Sequence, residues 1–184
     1  MSNSASASSD DTKNASFLRS RMPVEYRDRA FGLSALGEHG RAVLDWVEID
    51  GLKKFSSRGV VLEVVGKTSL SRDVFYAIAR AFILKSISVR CVHSIDLLKD
   101  NMTDELRDDL EDRGVLVIDR MGCDSLRVIN AEKAFEIEVF LEKWLGSGRS
   151  LLFRAENEIL KNEQWTQSFR YFLKNRLKRS FIVG

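Results

Sequence analysis

The tripeptide Gly66-Lys67-Thr68 directly follows an apolar run and contains residue types that bind phosphate. In a phosphate-binding loop, glycines let backbone N–H groups converge on phosphate, while a Lys and a Ser or Thr reach the phosphates and magnesium. Here the first glycine and the four-residue spacer of that pattern are missing before the tripeptide. We therefore expect an ordinary turn, and Gly66, Lys67 and Thr68 are candidate nucleotide ligands only if a nucleotide binds.

Asp119 is the other candidate, because it follows the four apolar residues of 115–118. A carboxylate at the end of a buried strand can hold a magnesium-bound water, and a strand-end cap is the equal alternative. The next residue, Arg120, is a permanent cation and cannot act as a general base. The sequence therefore predicts no hydrolysis and no catalytic residues, and ATP with magnesium is not an expected cofactor.

The C-terminal region is basic, with six Lys or Arg residues against one acid from position 161 to the end. A helix over about 164–178 would place Tyr171, Lys174 and Lys178 on one solvent-facing side. A basic stripe with an available aromatic ring suits sequence-independent binding of single-stranded DNA, and a solvated helix face is the alternative. The candidate DNA-binding residues are Tyr171, Lys174, Arg176, Lys178 and Arg179.

Apolar runs and amphipathic segments alternate along the chain, which predicts a doubly wound α/β fold with a mostly parallel sheet. The strands are predicted near 60–65, 87–92, 115–119, 150–153 and 181–183, and helices over 74–85, 131–145 and 164–178. Residues 24–58 are expected to be mostly helical.

The composition of the chain bears on whether it is a membrane, secreted or metal-binding protein. The chain has 44% apolar and 30% charged residues, with a net charge of +2. No apolar run approaches the roughly 18 residues of a membrane span, and the Ser-rich N-terminus does not resemble a secretory signal, so we expect a cytoplasmic protein. The two cysteines and two histidines do not have zinc-binding spacing, and no metal site is expected. We expect a disordered tail over 1–21 and one domain over 22–184.

Residues 22–31, Met-Pro-Val-Glu-Tyr-Arg-Asp-Arg-Ala-Phe, resemble the segment that opens the ATPase domain of DnaC-type helicase loaders and IstB-type transposition ATPases. The spacing from there to the predicted strands and to Arg176-Leu177 also fits. The resemblance implies an AAA+ domain with a five-stranded P-loop NTPase-like sheet over 22–184. Aligned on the family's helix, the phosphate-binding lysine falls at Ser71 or Arg72, and Arg120 replaces the catalytic Glu. The polar sensor residue would match Glu156 or Asn157.

This resemblance and the altered loop together predict a non-catalytic, AAA+-like accessory protein of DNA replication or mobile-element DNA metabolism. Its expected partners are single-stranded DNA, bound without sequence specificity, and a replicative helicase or an intact AAA+ ATPase. Weak self-association is expected if the basic residues 174–179 meet the acidic stretch 104–112 of a neighbour. The alternatives are an active ATPase with an atypical loop, and a protein-interaction scaffold that binds no nucleic acid.

Overall fold

A computed structural model describes residues 9–27, 36–46, 59–99, 105–106, 114–122 and 131–184. Five strands form one sheet in the order β2-β3-β4-β1-β5, and every neighbouring pair is parallel. The predicted parallel α/β fold is therefore confirmed. The strands are β1 (Val61–Val65), β2 (Val89–His93), β3 (Val115–Asp119), β4 (Ser150–Ala155) and β5 (Leu177–Ile182).

The inner strands β1 and β3 are buried along their whole length. Helices cover both faces of the sheet and shield these strands from water. Leu62 and Val64 face a core shared with the helices that precede β2, whereas Val61 faces a second core. The α-helices are α1 (Ser9–Arg19), α2 (Gly37–Trp46), α3 (Ser69–Leu84), α4 (Ala131–Gly146) and α5 (Gln167–Lys174), and 3-10 turns cover Val24–Tyr26, Ser94–Leu98 and Ile159–Lys161. Among the helices within the described ranges, none is long and apolar enough to cross a membrane.

The parallel strands give the sheet two distinct edges. Asp119 ends β3 at the carboxyl edge, where the turn that follows β1 also lies. The junction between α5 and β5 lies at the amino edge, because Leu177 pairs with Val61 at the start of β1. The five residues of β1, at about 3.3 Å each, separate the two edges by roughly 15 Å.

The N-terminal boundary differs from the expected one. Residues 1–8 lie outside the described part, but Ser9–Arg19 is a helix that packs on α3. Phe17 is 6% exposed and Met22 is completely buried. The Ser20 carbonyl also accepts the Cys91 N–H of β2 at 2.7 Å. A few well-placed apolar side chains thus order residues 9–21, although their overall composition is polar.

The predicted helix over 164–178 is wrong at both ends. α5 begins after its N-cap Thr166 and ends at Lys174. Lys178 and Arg179 instead lie on β5, which pairs with β1 as an edge strand. The Arg176 carbonyl accepts the Val61 N–H at 3.0 Å, and this bond starts the strand pairing. An edge strand tolerates exposed Lys and Arg side chains, and the spacing of these residues also fits the exposed face of a helix.

Candidate functional site

The turn between β1 and α3 is short. It contains only Gly66, Lys67 and Thr68, and α3 begins at Ser69 rather than near residue 74. Thr68 is the N-cap of α3, and its side-chain oxygen accepts the N–H of Ser71 at 3.4 Å. The first helical turn therefore follows β1 with almost no loop between them.

The Gly66 N–H of this turn and N–H groups in the first turn of α3 donate within the protein. The Gly66 N–H donates to the Ala155 carbonyl of β4 at 2.9 Å, and the Arg72 N–H reaches the Thr68 carbonyl at 3.5 Å. Gly66 is also tightly enclosed, since an added Cβ would lie 2.4 Å from the Val183 carbonyl oxygen. At Gly66 the turn therefore packs closely against β4 and the Val183 carbonyl.

The carboxylate of Asp119 is surrounded by donors from two neighbouring elements. Its Oδ1 accepts the Arg154 Nε–H at 2.7 Å, and its Oδ2 accepts the Tyr76 hydroxyl at 3.3 Å. Asp119 and Arg154 are 4% and 7% exposed, so this ion pair is buried. Arg154 also donates from Nη1 to the Gly66 carbonyl at 3.4 Å, which connects the ends of β1, β3 and β4.

Arg72 closes the other side of the carboxylate. Its Nε lies 3.8 Å from Asp119 Oδ2, and its Nη2 lies 3.4 Å from Glu25 Oε1. The rings of Tyr26 and Tyr76 stack with centroids 4.4 Å apart, and the guanidinium lies 5.6 and 5.7 Å from those centroids. Burial and the hydrogen bond to Asp73 raise the pKa of Tyr26 to about 12, so its hydroxyl stays protonated at neutral pH.

The exposed cations Lys67 and Arg120 and the half-buried Glu156 line a 390 Å³ cavity at this carboxyl edge. Lys67 Nζ lies 4.0 Å from Glu156 Oε2, and Arg120 Nη2 lies 3.9 Å from Glu156 Oε1. Arg120 has a φ of +61°, in the left-handed region that non-glycine residues rarely adopt.

The structure brings Lys67, Thr68 and Asp119 to this one cavity, and Gly66 lies beside them in the turn. Sequence reasoning missed Arg154, although a lone charge in the otherwise apolar segment 150–155 was a usable signal. Sequence alignment placed a polar sensor at Glu156 or Asn157, whereas the β4 side chain that contacts Asp119 is Arg154.

The basic C-terminal residues form a separate surface at the amino edge, which we call the α5–β5 patch. Tyr171 is 70% exposed on α5, and Lys174, Lys178 and Arg179 are exposed as well. The Arg176 guanidinium stacks on the Phe172 ring at 3.9 Å. The candidate DNA-binding residues therefore lie on different elements: Tyr171 and Lys174 on α5, Arg176 in the junction, and Lys178 and Arg179 on β5. Arg179 lies near Phe181 of the core on the opposite face of the sheet from α5.

The candidate metal ligands do not converge in the described ranges, where no three His, Cys, Asp or Glu side chains are arranged to hold a metal ion. Cys91 is buried, and burial raises the pKa of its thiol to about 12. Cys123 and almost all of the acidic stretch 104–112 lie outside the described residues.

Comparison with solved structures identifies the fold. A Streptococcus pyogenes protein described as a primosome component is similar over 92% of this chain and 95% of its own, with a TM-score of 0.60 and 18% identity. The DnaC helicase loader is similar over 88% of this chain and 100% of its own, with a TM-score of 0.60 and 11% identity. This chain has the fold of an AAA+ ATPase domain. The resemblance to DnaC-type proteins is thus confirmed as a likeness of fold.

A third similar structure is a replication initiator DnaA bound to AMPPCP and single-stranded DNA. It is similar over 85% of this chain and 51% of its own, with a TM-score of 0.55 and 14% identity. No protein-family model and no curated protein sequence matches this chain. The AAA+ likeness therefore comes from the arrangement of strands and helices, at identities that establish the fold alone.

Proposed function

We propose that this protein is a non-catalytic, AAA+-like accessory protein of DNA replication or mobile-element DNA metabolism. It acts by binding single-stranded DNA, a replicative helicase, an intact AAA+ ATPase, or a combination of these. The observation that carries the non-catalytic part is the buried Arg154–Asp119 ion pair.

A carboxylate at the end of β3 would serve an ATPase by binding the water shell of a magnesium ion. Here the Asp119 oxygens already accept hydrogen bonds from Arg154 and Tyr76, with Arg72 close by. The Arg154 guanidinium supplies the positive charge that a magnesium ion would bring. A metal ion would have to displace a buried cation, and the electrostatic cost of placing both charges there opposes its binding.

The turn between β1 and α3, where phosphates of a nucleotide would lie, also supports a non-catalytic protein. The N–H groups of Gly66, Ser71 and Arg72 donate to protein oxygens, so they do not converge on a shared external acceptor. Hydrolysis also needs a general base that activates water. The residue after Asp119, where such a base could lie, is Arg120, and its guanidinium cannot accept a proton. These features favour a non-catalytic protein over an active ATPase with an atypical loop.

The first experiment is isothermal titration of the whole chain with ATP and magnesium, together with a steady-state hydrolysis assay. We expect no turnover above background and no binding at micromolar concentration. Magnesium-dependent turnover that disappears in Lys67→Ala would instead establish the active ATPase.

The DNA-binding part is supported by the charge and exposure of the α5–β5 patch and by the fold shared with an initiator that binds single-stranded DNA. Exposed Tyr171 offers a ring for base stacking, and Lys174 and Lys178 offer charges for the backbone. Affinity for a labelled oligonucleotide should fall steeply with salt and depend little on sequence.

The matched test is fluorescence anisotropy of Lys174→Glu/Lys178→Glu against the exposed control Lys13→Glu/Lys99→Glu, at low salt. The first variant should lose binding and remain folded, since both lysines are exposed. The control changes net charge equally on other surfaces. Equal affinity of all three proteins would exclude the α5–β5 patch as the DNA surface, whereas the absence of binding by wild type would remove DNA from the proposal and leave the protein-interaction scaffold.

The partner part is tested by light scattering and by pulldown with a replicative helicase or an intact AAA+ ATPase. We expect weak, salt-sensitive self-association or a mixed complex, because the α5–β5 patch carries concentrated positive charge. A strict monomer at low salt that captures neither partner would contradict this part.

A further inference from the structure

β5 is an edge strand, and its outer side has no neighbour among the strands that the structure describes. The Val183 N–H donates to the Val65 carbonyl at 2.8 Å, so the backbone of Val183 is directed toward β1. Backbone groups of successive residues in a parallel strand point to opposite sides. The N–H and C=O groups of Ile182, and of Ser180 two residues earlier, are therefore directed to the open edge. Such groups are a template on which another extended chain can pair.

The features that usually protect an edge lie in the first half of β5. The pairing with β1 skips Lys178, which is an extra residue there and is charged and exposed. A bulge and an edge lysine are common means of blocking strand addition. The second half, residues 180–182, has no charged side chain, and Ile182 is 66% exposed. This half of the edge is open to pairing.

A groove of 200 Å³ lies beside the same half of β5, between the strand and α2. Its lining includes the buried apolar side chains of Val43, Val74 and Phe181, and the exposed residues Ala42 and Arg179. Because a cavity of about 150 Å³ holds a benzene molecule, the groove has room for one apolar side chain. The side chains of a strand paired with β5 would alternate between the two faces of the sheet. Those on the α2 face would meet the groove.

The charges beside the edge select the chemistry of the occupant. β5 carries Lys178 and Arg179 and no acidic residue, and Lys174 and Arg176 shortly precede it. A second copy of this chain paired through β5 would place these cations against one another, which is unfavourable. An acidic strand would instead find counter-charges. Nucleic acid would also meet the cations, but it has no alternating apolar side chains for the groove.

We propose that β5 and the groove beside α2 form a docking site for an extended acidic segment of a partner protein, which adds to the sheet as a sixth strand. The segment pairs with the backbone of Ser180 and Ile182, places an apolar side chain in the groove, and presents carboxylates to Lys178 and Arg179. Backbone pairing provides affinity and the groove provides specificity. This inference names the partner chemistry of the proposed function and rests on its protein-partner part.

The probe is a fluorescein-labelled peptide of four Val-Glu repeats, added to the full chain and followed by anisotropy. The same peptide N-methylated at alternate residues is the matched control, because it cannot pair. It should bind about tenfold more weakly, since at least two backbone hydrogen bonds are lost. Four Val-Lys repeats and a Val-Val-Glu-Glu repeat, which change the charge and the alternation, should also bind more weakly. Equal binding of the N-methylated peptide, or no binding of the Val-Glu peptide at millimolar concentration, would overturn the docking site.

Amide hydrogen exchange measured by NMR locates the peptide on the protein. Exchange at Ser180 and Ile182, whose N–H groups face the open edge, should slow by about tenfold or more when the peptide is bound. Val183 is the internal control, because its N–H already donates to Val65, and its exchange should change little. Protection of Ser180 and Ile182 that rises with protein concentration without peptide would identify a second copy as the occupant and overturn the acidic partner.

Ile182→Pro is the decisive variant, because it removes an outward N–H and proline is accepted on the open side of an edge strand. It should weaken peptide binding, whereas Ile182→Thr keeps the N–H and should retain most of the affinity. Ala42→Gln fills the groove from exposed α2 without adding a charge, so it tests the site even if Ile182→Pro does not fold. Wild-type affinity in Ala42→Gln and in folded Ile182→Pro would contradict the proposal.

Oligothymidylate and the candidate partner proteins separate this inference from the proposed function. If the peptide is displaced by oligothymidylate and never slows exchange at Ser180 and Ile182, β5 is a nucleic-acid surface and the docking site is wrong. If the peptide binds as expected but neither a replicative helicase nor an intact AAA+ ATPase is captured, the docking site stands and those proposed partners do not. If a partner is captured equally by wild type and Ile182→Pro and the peptide does not bind, the docking site alone fails.

Discussion

Arg154 and Asp119 form a buried ion pair between neighbouring strands, with 2.7 Å between Nε and Oδ1. The same guanidinium donates to the Gly66 carbonyl, so one side chain connects the ends of three strands at the carboxyl edge. Burying two charges carries a desolvation cost that their attraction largely offsets, and such a pair contributes little net stability. Its effect is greater when one member is removed, because the remaining buried charge then loses its principal partner.

Arg154→Met should therefore destabilise the fold by up to about 3–5 kcal/mol, since buried Asp119 would lose its principal partner and keep only the Tyr76 hydroxyl and the more distant Arg72. Urea denaturation monitored by circular dichroism measures this change in the free energy of unfolding. The double variant Arg154→Met/Asp119→Leu should recover much of the loss.

The control for that comparison is Lys161→Met, which removes an exposed ion pair with Glu158. It should cost no more than about 1 kcal/mol. If Arg154→Met cost as little as Lys161→Met, the Arg154–Asp119 pair would not be a buried structural pair.

Gly66 and Gly146 offer a matched test of how tightly the β1–α3 turn is enclosed. A Cβ at Gly66 would lie 2.4 Å from the Val183 carbonyl oxygen and 2.7 Å from Ser71 Cβ, whereas a Cβ at Gly146 meets nothing within 4 Å. Gly66→Ala should destabilise by about 1–3 kcal/mol, because both neighbours are held by the sheet and by α3. Gly146→Ala, at the end of α4, should be neutral or stabilise slightly. Equal melting temperatures of the two variants would contradict the close packing.

The sequence was sufficient where one physical signal dominated. The strand 115–119 and the helix that ends at Gly146 were predicted closely, because a buried parallel strand is a continuous apolar run and an amphipathic helix has a clear period. At β5 the signals competed: an edge strand with a solvated side carries Lys178 and Arg179, and these also fit a helix face. Only the pairing with β1 decides between the two.

The candidate site was predicted in part for a similar reason. Asp119 could be found because it ends an apolar run, and Lys67 and Thr68 because of their local pattern. Arg154 is 35 residues from Asp119 along the chain and reaches it only because β3 and β4 are neighbours in the sheet. Strand order is a property of the whole fold, so no local pattern could assign this pair.

Glu63 provides a prediction about pH. Glu63 is a 1% exposed residue of β1, and its carboxylate accepts the Ile159 N–H at 2.6 Å and the Ser180 hydroxyl at 2.8 Å. Burial raises its pKa above the ordinary 4.5, and the two hydrogen bonds only partly oppose that shift. The folded protein therefore binds this proton more tightly than the unfolded chain does, and the stability it contributes is lost as the pH rises from about 4.5 through the raised pKa.

The measurement is the melting temperature of wild type and Glu63→Gln as a function of pH. The difference, wild type minus variant, should decrease as the pH rises above 4.5, because only wild type has this carboxylate to ionise. A difference that is constant or increases over that range would mean that the pKa of Glu63 is not raised in the folded protein.

Deletion of residues 1–21 tests the N-terminal region, where composition and structure lead to opposite expectations. A disordered tail could be removed with no effect on stability. In the structure, Phe17 packs against α3 with the Arg80 guanidinium 5.8 Å from its ring centroid, and Ser20 accepts the Cys91 N–H. Losing the burial of Phe17 alone should cost about 1.5–3 kcal/mol. Phe17→Ala in the full chain should account for most of that loss, whereas Leu18→Ala should have little effect because Leu18 is 65% exposed.

In a Cys123→Ser background, thiol labelling gives a second readout, since buried Cys91 reacts only when the structure opens. The deletion should increase that labelling rate, and unchanged stability and labelling would restore the interpretation of residues 1–21 as a dispensable tail.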